Sequence, residues 1–381
     1  MDVLVCGAGV AGAALAYWLR HHGFTPTVVE RAPRARRGGY ATGLRGEALD
    51  VLDRMALLEQ VEALDLRLAD TAGPHEHAAL PVAIRPADLE ILRDDLAGLL
   101  YQVTRGEVEY VFGDSIATLE QSADDVRVTF DRGRPRRFDL VAGADGLHSR
   151  TRSLVFGPHE RFVRHLGLYT AFFGLRGRPG AEDGGRVLCG PGRAAAVLSV
   201  RDGARARAAL HFASGPLVYD RDDAGQHKRI VAERFAGEGR PVQRLLEEMW
   251  GADDLFFEAN AQVEMGRWSS GRVVLLGDAG HGAAPASGRG ASQALIGAYI
   301  LAGELATGGG HARAFAAYER ELRGFVAEHQ HLGREGADRF FLGTPPQAGL
   351  GRATARPCLV RLRDYAPGFA AERPSSGRTA R

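Results

Sequence analysis

The run Gly7-Ala8-Gly9-Val10-Ala11-Gly12, directly behind the apolar stretch Val3-Leu4-Val5-Cys6, constrains this chain more than any other feature. A short buried strand that ends in glycines and turns at once into a helix leaves little choice of geometry. Gly7 makes the tight turn, Gly9 lets the backbone approach a pyrophosphate, and Gly12 lets the helix pack on the strand. Val10 and Ala11 open that helix, whose first amides and partial positive charge would face the phosphates. Ala14, Leu15, Trp18 and Leu19 share one face of a helix expected over 11–22. Thr27-Val28-Val29 then forms a second strand ending at Glu30, whose carboxylate can accept hydrogen bonds from an adenosine ribose diol. This is β-α-β within thirty residues, and it predicts a bound dinucleotide. It does not distinguish FAD from NAD, and in a chain with 50 glycines a merely structural turn is the competing reading.

Length and composition narrow the rest. A chain of 381 residues exceeds one ordinary core and predicts two domains, interleaved if the nucleotide fold recurs along it. The formal charge of +1 offers no global field for nucleic acid or an anionic membrane, so neither is an expected partner. Positive charge is nearly all arginine, with Lys228 the only lysine. Cys6, Cys189 and Cys358 show no metal or disulfide spacing, and a reducing cytoplasm is the expected setting. The apolar start carries no basic secretory leader, and no window reaches the roughly 18 uncharged apolar residues of a membrane span.

Along the chain, helices are expected at about 46–63 and 87–104, with an irregular stretch at 66–84 between them. Strands expected at 108–111, 115–121 and 126–130 read as antiparallel, and 140–143 as a further buried strand. From about 162 the pattern turns strand-rich, with strands at 168–175, 186–189, 194–200 and 206–213, followed by helices at 221–236 and 241–250. Val273–Leu276 restores the buried-strand pattern before helices starting near 289 and covering 312–340. The tail after 371 is rich in Ser, Gly and Arg and is expected to be disordered.

Two further signatures follow buried strands. One is Gly143-Ala144-Asp145-Gly146 with Ser149 and Arg152; the other is Gly277-Asp278-Ala279, leading through His281 and Pro285 into Gly288-Arg289-Gly290-Ala291-Ser292. Asp278 can accept a hydrogen bond from a ribityl hydroxyl, a group that FAD has and NAD lacks. The turn of Gly288, Gly290, Ala291 and Ser292 can aim helix-terminal amides at the flavin N1–C2=O edge, where negative charge develops on reduction. Taken singly, Asp278 also reads as a helix N-cap and Asp145 as a turn-forming residue.

With all three signatures in order, the chain resembles the flavoprotein monooxygenases related to para-hydroxybenzoate hydroxylase, in the compact branch of tetracycline-modifying and antibiotic-tailoring enzymes. The resemblance spans residues 1 to about 345. It implies an α/β fold: a Rossmann-like FAD-binding domain of the GR2 type, an inserted and mostly antiparallel β-sheet substrate domain, and C-terminal helices. The FAD domain would comprise 1–70, 87–162 and 265–345, the substrate domain 71–86 and 163–264, leaving a partly disordered segment at 346–381. The resemblance also places Arg45 and Arg93 near the cofactor and Pro285 near the reactive face of the ring. The competing reading of Arg93 is a solvated helix face, and Thr42 or Gly43 stands where many members carry an acid.

Such enzymes take electrons from NAD(P)H, a transient co-substrate, and use a flavin C4a-hydroperoxide formed with O2 to hydroxylate a phenolic or polycyclic aromatic substrate. The chemistry is flavin-borne, and no catalytic side chain stands out. Arg31, Arg34, Arg36 and Arg37 can meet nicotinamide phosphates or simply form an exposed basic loop. Apolar candidates to meet substrate are Leu168, Tyr169, Phe172, Phe173, Val187, Leu198, Leu210 and Phe212, about half of which must be core if the strands alternate. His281 reads as a structural part of its loop. The rivals are Baeyer–Villiger insertion, a flavin dehydrogenase or reductase, a protein that keeps FAD without turnover, and a flavin halogenase. A halogenase needs a lysine beside its substrate in the cofactor region, and Lys228 lies elsewhere in the sequence. A monomer or homodimer is expected.

Overall fold

A computed structural model describes residues 1–35, 39–66, 88–176, 188–190, 192–200, 205–342 and 360–365. The expected segment 71–86, Arg36, Arg37, Val187 and the tail after 371 lie outside these residues.

The chain opens as its first thirty residues require: β1 (Asp2–Cys6), α1 (Val10–His21) and β2 (Thr25–Glu30), with the two strands parallel. Alternation on β1 sends Val3 and Val5 toward the helices and Leu4 and Cys6 to the opposite face. After β3 (Ala41–Leu44) come α2 (Glu47–Arg54) and α3 (Leu58–Glu62). The single helix expected over 46–63 is therefore broken, at Ala56, whose φ of 55° no helix accommodates.

A second correction falls on 87–104. Residues Leu89–Leu92 form β4, paired antiparallel with β3, and only Arg93–Thr104 is helical (α4). Leucines at 89, 92, 96 and 99 mimic one helical stripe, but pairing with β3 overrides local periodicity and buries both Glu90 and Ile91. A third concerns 108–130. Strand β5 (Glu109–Phe112) runs parallel to β2 at the edge of the large sheet; β6 (Ile116–Gln121) and β7 (Val126–Phe130) are antiparallel, as expected, and are joined by β8 (Arg136–Phe138).

The large sheet is completed by β9 (Leu140–Gly143), β15 (Ser269–Ser270) and β16 (Val273–Leu275), in the order β15-β16-β9-β1-β2-β5. All its pairings are parallel except β15–β16. One face carries α1, which packs on α4 and on α9 (Gly290–Ala306), with α10 (His311–Leu342) outside α9. The other carries the β6-β7-β8 meander, whose Ile116, Val126, Val128 and Phe138 close over Leu4, Val29 and Val141. Helix α5 (Arg150–Phe156) follows β9, capped by the Ser149 hydroxyl, which accepts the Arg152 N–H at 2.9 Å.

Between α5 and β15 lies an antiparallel sheet of β10 (Val163–Leu175), β11 (Leu188–Gly190), β12 (Arg193–Val200), β13 (Arg205–Ala213) and β14 (Phe256–Val263), in the order β11-β12-β13-β10-β14. Two helices, α6 (Ala224–Arg234) and α7 (Arg240–Gly251), cover one face through Tyr169, Phe173, Leu210, Phe212, Val231, Leu246 and Met249. Burying such side chains contributes roughly 1.5–3 kcal/mol each, which holds the sheet and its helices as one unit. The opposite face is turned toward the parallel sheet. No described helix is long and apolar enough to cross a membrane.

Candidate active site

A cavity of about 860 Å³ lies between that face and the C-terminal ends of β1, β2 and β9. This is where an open parallel sheet presents a ligand crevice. Its lining joins the three glycine signatures: Gly7, Gly9, Val10, Ala11, Glu30 and Arg31; then Asp145; then Asp278, Pro285, Gly288, Gly290 and Ala291, with Arg93 facing them.

Each glycine of the first turn is required for a different physical reason. Gly7 sits at φ +106°, and a Cβ there would lie 2.5 Å from the Ala144 carbonyl oxygen. A Cβ on Gly9 would meet nothing within 4 Å, so this backbone is open to a close approach from the cavity. A Cβ on Gly12 would collide with the Gly7 carbonyl, so α1 can seat against the turn only without one. The Glu30 carboxylate closes the turn by accepting the N–H of Ala8 at 2.9 Å and of Ala32 at 2.8 Å.

Asp145 lines the cavity, yet its oxygens are engaged by the Ser149 hydroxyl and by the N–H and hydroxyl of Thr151, both at 2.9 Å. It therefore builds its own turn as well. Arg152, fully buried, donates to Leu147 O at 2.6 Å and to Ala279 O at 2.9 Å, tying the second signature to the third.

Asp278 begins α8 (Asp278–His281), behind Gly277 at φ +61°. It does not cap this helix, and among the described residues no group donates a hydrogen bond to its carboxylate. The group is exposed to the cavity that it lines. Burial pushes its carboxyl above the ordinary range, the positive charge of Arg93 opposes the rise, and Glu258 adds to it. An acid without a partner at such a position suits a ligand hydroxyl. Beyond it, Ala284 is held at φ 73°, ψ 151°, a region that costs a non-glycine residue about 1–3 kcal/mol. Pro285 and the left-handed Gly288 follow, and Gly290 starts α9 with its first-turn amides at the cavity wall.

Three of the predicted residues do not line the cavity. Gly12 serves packing. Arg45 is folded back behind the wall: Nε contacts Asp88 at 2.9 Å, Nη2 contacts Glu90 at 2.5 Å, and Nη1 donates to Gly288 O. Ser292 accepts the Arg45 N–H at 3.0 Å and donates to Gly43 O at 3.1 Å. Both hold the loops that form the wall. The guanidinium also explains Gly43, since any Cβ there would strike it. Glu90 shares this arginine with Asp88, and burial pushes its carboxyl up to about 7 despite the ion pair.

Arg93 is not on a solvated face. It pairs with Asp94 at 2.9 Å and lies over the rings of Tyr40 and Phe256, 5.2 and 5.5 Å from their centroids. Arg31 pairs with Asp222 at 3.3 Å, and Arg34 is exposed at the cavity rim. His281 is fully buried and bonded to the Tyr318 hydroxyl at 2.8 Å, outside the cavity lining. Lys228 donates to the Trp250 and Ala252 carbonyls at the end of α7 and is outside the cavity lining.

On the sheet wall, strand alternation divides the apolar candidates. Phe172 and Leu198 line the cavity, whereas Tyr169, Phe173, Leu210 and Phe212 pack under α6 and α7. Leu168 is fully buried and outside the lining. Sequence reasoning missed a polar row on the same face: Glu258, Thr170 and His211, in cross-strand register, with Asn260 beside them. Glu258 accepts from His148 Nε2 at 3.0 Å. Burial pushes the His211 imidazole down to about 4, so it is neutral at physiological pH. Among the described residues there is no His, Cys, Asp or Glu cluster suited to a metal ion.

The layered fold, the open glycine turn and the unpartnered acid before a second helix terminus define a nucleotide-binding flavoprotein. Residues 1–330 match the family model described as FAD binding domain, and the chain belongs to that family. It is 45% identical over 341 residues, 87% of this chain and 92% of the other, to an uncharacterised protein of Mycobacterium tuberculosis strain H37Rv. A flavin-dependent monooxygenase of Legionella longbeachae is 34% identical over 378 residues, covering 97% of each chain. Among solved structures, tetracycline destructase Tet(55) superposes with a TM-score of 0.77 at 35% identity, over 91% of both chains. The protein is an FAD-dependent monooxygenase, of the family that includes the aromatic hydroxylases.

Proposed function

We propose that this monooxygenase uses NAD(P)H and O2 to hydroxylate a phenolic or polycyclic aromatic compound bound between FAD and the antiparallel sheet. The observation that carries the reading is that one cavity joins the glycine turn, Asp278 and the α9 terminus to a sheet face of aromatic, small and hydrogen-bonding side chains. Tet(55), similar in fold and sequence, is described as a tetracycline destructase, which supports a polycyclic substrate.

The residues present fit FAD. Gly7, Gly9, Val10 and Ala11 would take its diphosphate, Glu30 its ribose, Asp278 its ribityl chain, and Gly288, Gly290 and Ala291 the polar edge of its ring. Bound FAD supplies the redox chemistry, accepting electrons from the nicotinamide and activating oxygen. The chain's own part is to orient the partners and exclude water. Phe172, Leu198 and Phe256 provide dry surface for aromatic rings, and Thr170, Glu258 and His148 provide fixed partners for their hydroxyl or carbonyl groups. Arg34, at the rim, would meet the nicotinamide phosphates. In this reading 1–70, 87–162 and 265–345 form the FAD domain and 163–264 the substrate domain.

The test is a panel of phenols and polycyclic aromatics, tetracycline among them, incubated with FAD-loaded protein and NADPH. A substrate accelerates NADPH oxidation and gains one oxygen atom. Oxidation indifferent to every compound, with no oxygenated product, would remove hydroxylation. Asp278→Ala deletes a charged acceptor worth about 1.5–3 kcal/mol, so FAD should bind roughly ten- to a hundredfold more weakly. Unchanged occupancy after dialysis would take the ribityl role from Asp278.

A further inference from the structure

Asn260 and Gln262 are fully buried polar side chains two apart on β14, hence on one face of the strand. Both reach out of their own sheet to the strained loop before α9. Gln262 Nε2 donates to the Ala283 carbonyl at 3.0 Å, and Asn260 Oδ1 accepts the Ala286 N–H at 2.9 Å. Between these two anchors lie Ala284, with its positive φ, and Pro285, both at the cavity wall.

The Asn260 contact also orders a longer chain. Because a backbone N–H can only donate, the Asn260 oxygen must face Ala286 and its amide nitrogen must face Thr170 Oγ1, 2.9 Å away. The Thr170 oxygen thus receives a hydrogen from Asn260, and it is also hydrogen-bonded to His211 Nδ1 at 2.9 Å. A continuous chain of hydrogen bonds runs from the loop, across β14 and β10, to His211 on β13, its direction fixed as far as Thr170. Thr170, Asn260 and His211 all line the cavity.

We infer that Asn260 is a positioning residue through which Thr170 and His211, on the floor of the cavity, set the seat of the Ala284–Ala286 loop. This rests on reading the cavity as the FAD and substrate site, and it assigns coupling between the two halves to one side-chain bridge. A substrate that presses on Thr170 or His211 would be felt at the loop beside the flavin without touching it.

The experiment uses the FAD-loaded full-length protein and the variants Asn260→Ala, Asn260→Asp and Thr170→Val. Two quantities are read: backbone hydrogen exchange in segment 283–288 by mass spectrometry, and the visible circular dichroism of the bound flavin. Thr170→Val is close to isosteric, and no hydrogen bond joins residue 170 to the loop. It should nonetheless raise exchange in 283–288 about two- to tenfold, as loss of one supporting hydrogen bond allows, and alter the flavin signal. Asn260→Ala should exceed it. Asn260→Asp, which can still accept from Ala286 but when ionised cannot donate to Thr170, should resemble Thr170→Val. Wild-type exchange and wild-type dichroism in Thr170→Val would overturn the inference and leave Asn260 a local pin. A lower Tm in all three variants with both readouts unchanged would also overturn it. Should the wild-type protein hold no FAD, the cofactor reading fails by itself, while exchange in the FAD-free protein still decides whether the bridge exists.

Discussion

Arg45→Ala lowers the free energy of unfolding by about 3–5 kcal/mol, the loss expected when one partner of a buried ion pair is removed. Arg45 is 4% exposed, and its guanidinium serves Asp88, Glu90 and the Gly288 carbonyl together. Its removal leaves the buried Glu90 carboxylate without its cationic partner and the Gly288 carbonyl without its donor. Proton uptake limits the damage, since burial already holds the Glu90 carboxyl near neutrality and loss of the cation drives it higher. The variant should therefore be least stable at high pH, and adding Glu90→Gln should recover part of the loss. Urea unfolding of the single and double variants checks both statements. A loss below about 1 kcal/mol would show that the cluster is solvated and contributes no more than a surface pair.

The second large effect contrasts two neighbouring glycines. Gly12 is helical, where alanine is ordinarily favoured by about 1 kcal/mol. Here a Cβ meets the Gly7 carbonyl and, at 3.3 Å, Val5. Neither yields cheaply, so Gly12→Ala pushes α1 off β1, costs about 1–3 kcal/mol and widens the turn that would hold the diphosphate. Gly9→Ala differs, because its Cβ meets nothing within 4 Å. Stability of the FAD-free protein should be unchanged while FAD affinity collapses, the methyl occupying the line of approach. Thermal melts with and without FAD separate the two. If both variants melted alike, the assignment of packing to one glycine and approach to the other would be wrong.

The parts of this molecule legible in its sequence are those where local chemistry and tertiary structure agree. The turn at Gly7–Gly12 needs its glycines for backbone reasons alone, and Asp278 follows a strand of purely apolar residues. Legibility failed where tertiary pairing overrode a local pattern. Strand β14 carries Glu258, Asn260 and Gln262 on one face, polar residues at positions that are buried or line the cavity, so its alternation does not read as a core strand. Those side chains are polar because they face the cavity and the Ala284 loop. Strand β4 was hidden by leucines at helical spacing, and the break at Ala56 by an alanine in a conformation that alanine rarely takes. Arg45 shows the same limit from another side. Its proximity to the third signature is real, but its bond is to the Gly288 carbonyl behind the wall, a distinction no motif carries.

The central claim is that the loops around Gly9, Asp145 and Asp278 meet on one FAD. Purified without added cofactor and then titrated with FAD, the wild-type protein should show flavin absorbance at one FAD per chain, and Asp278→Ala should lose it on dialysis. A colourless protein that takes up no FAD at saturating concentration, while remaining folded, would contradict the account.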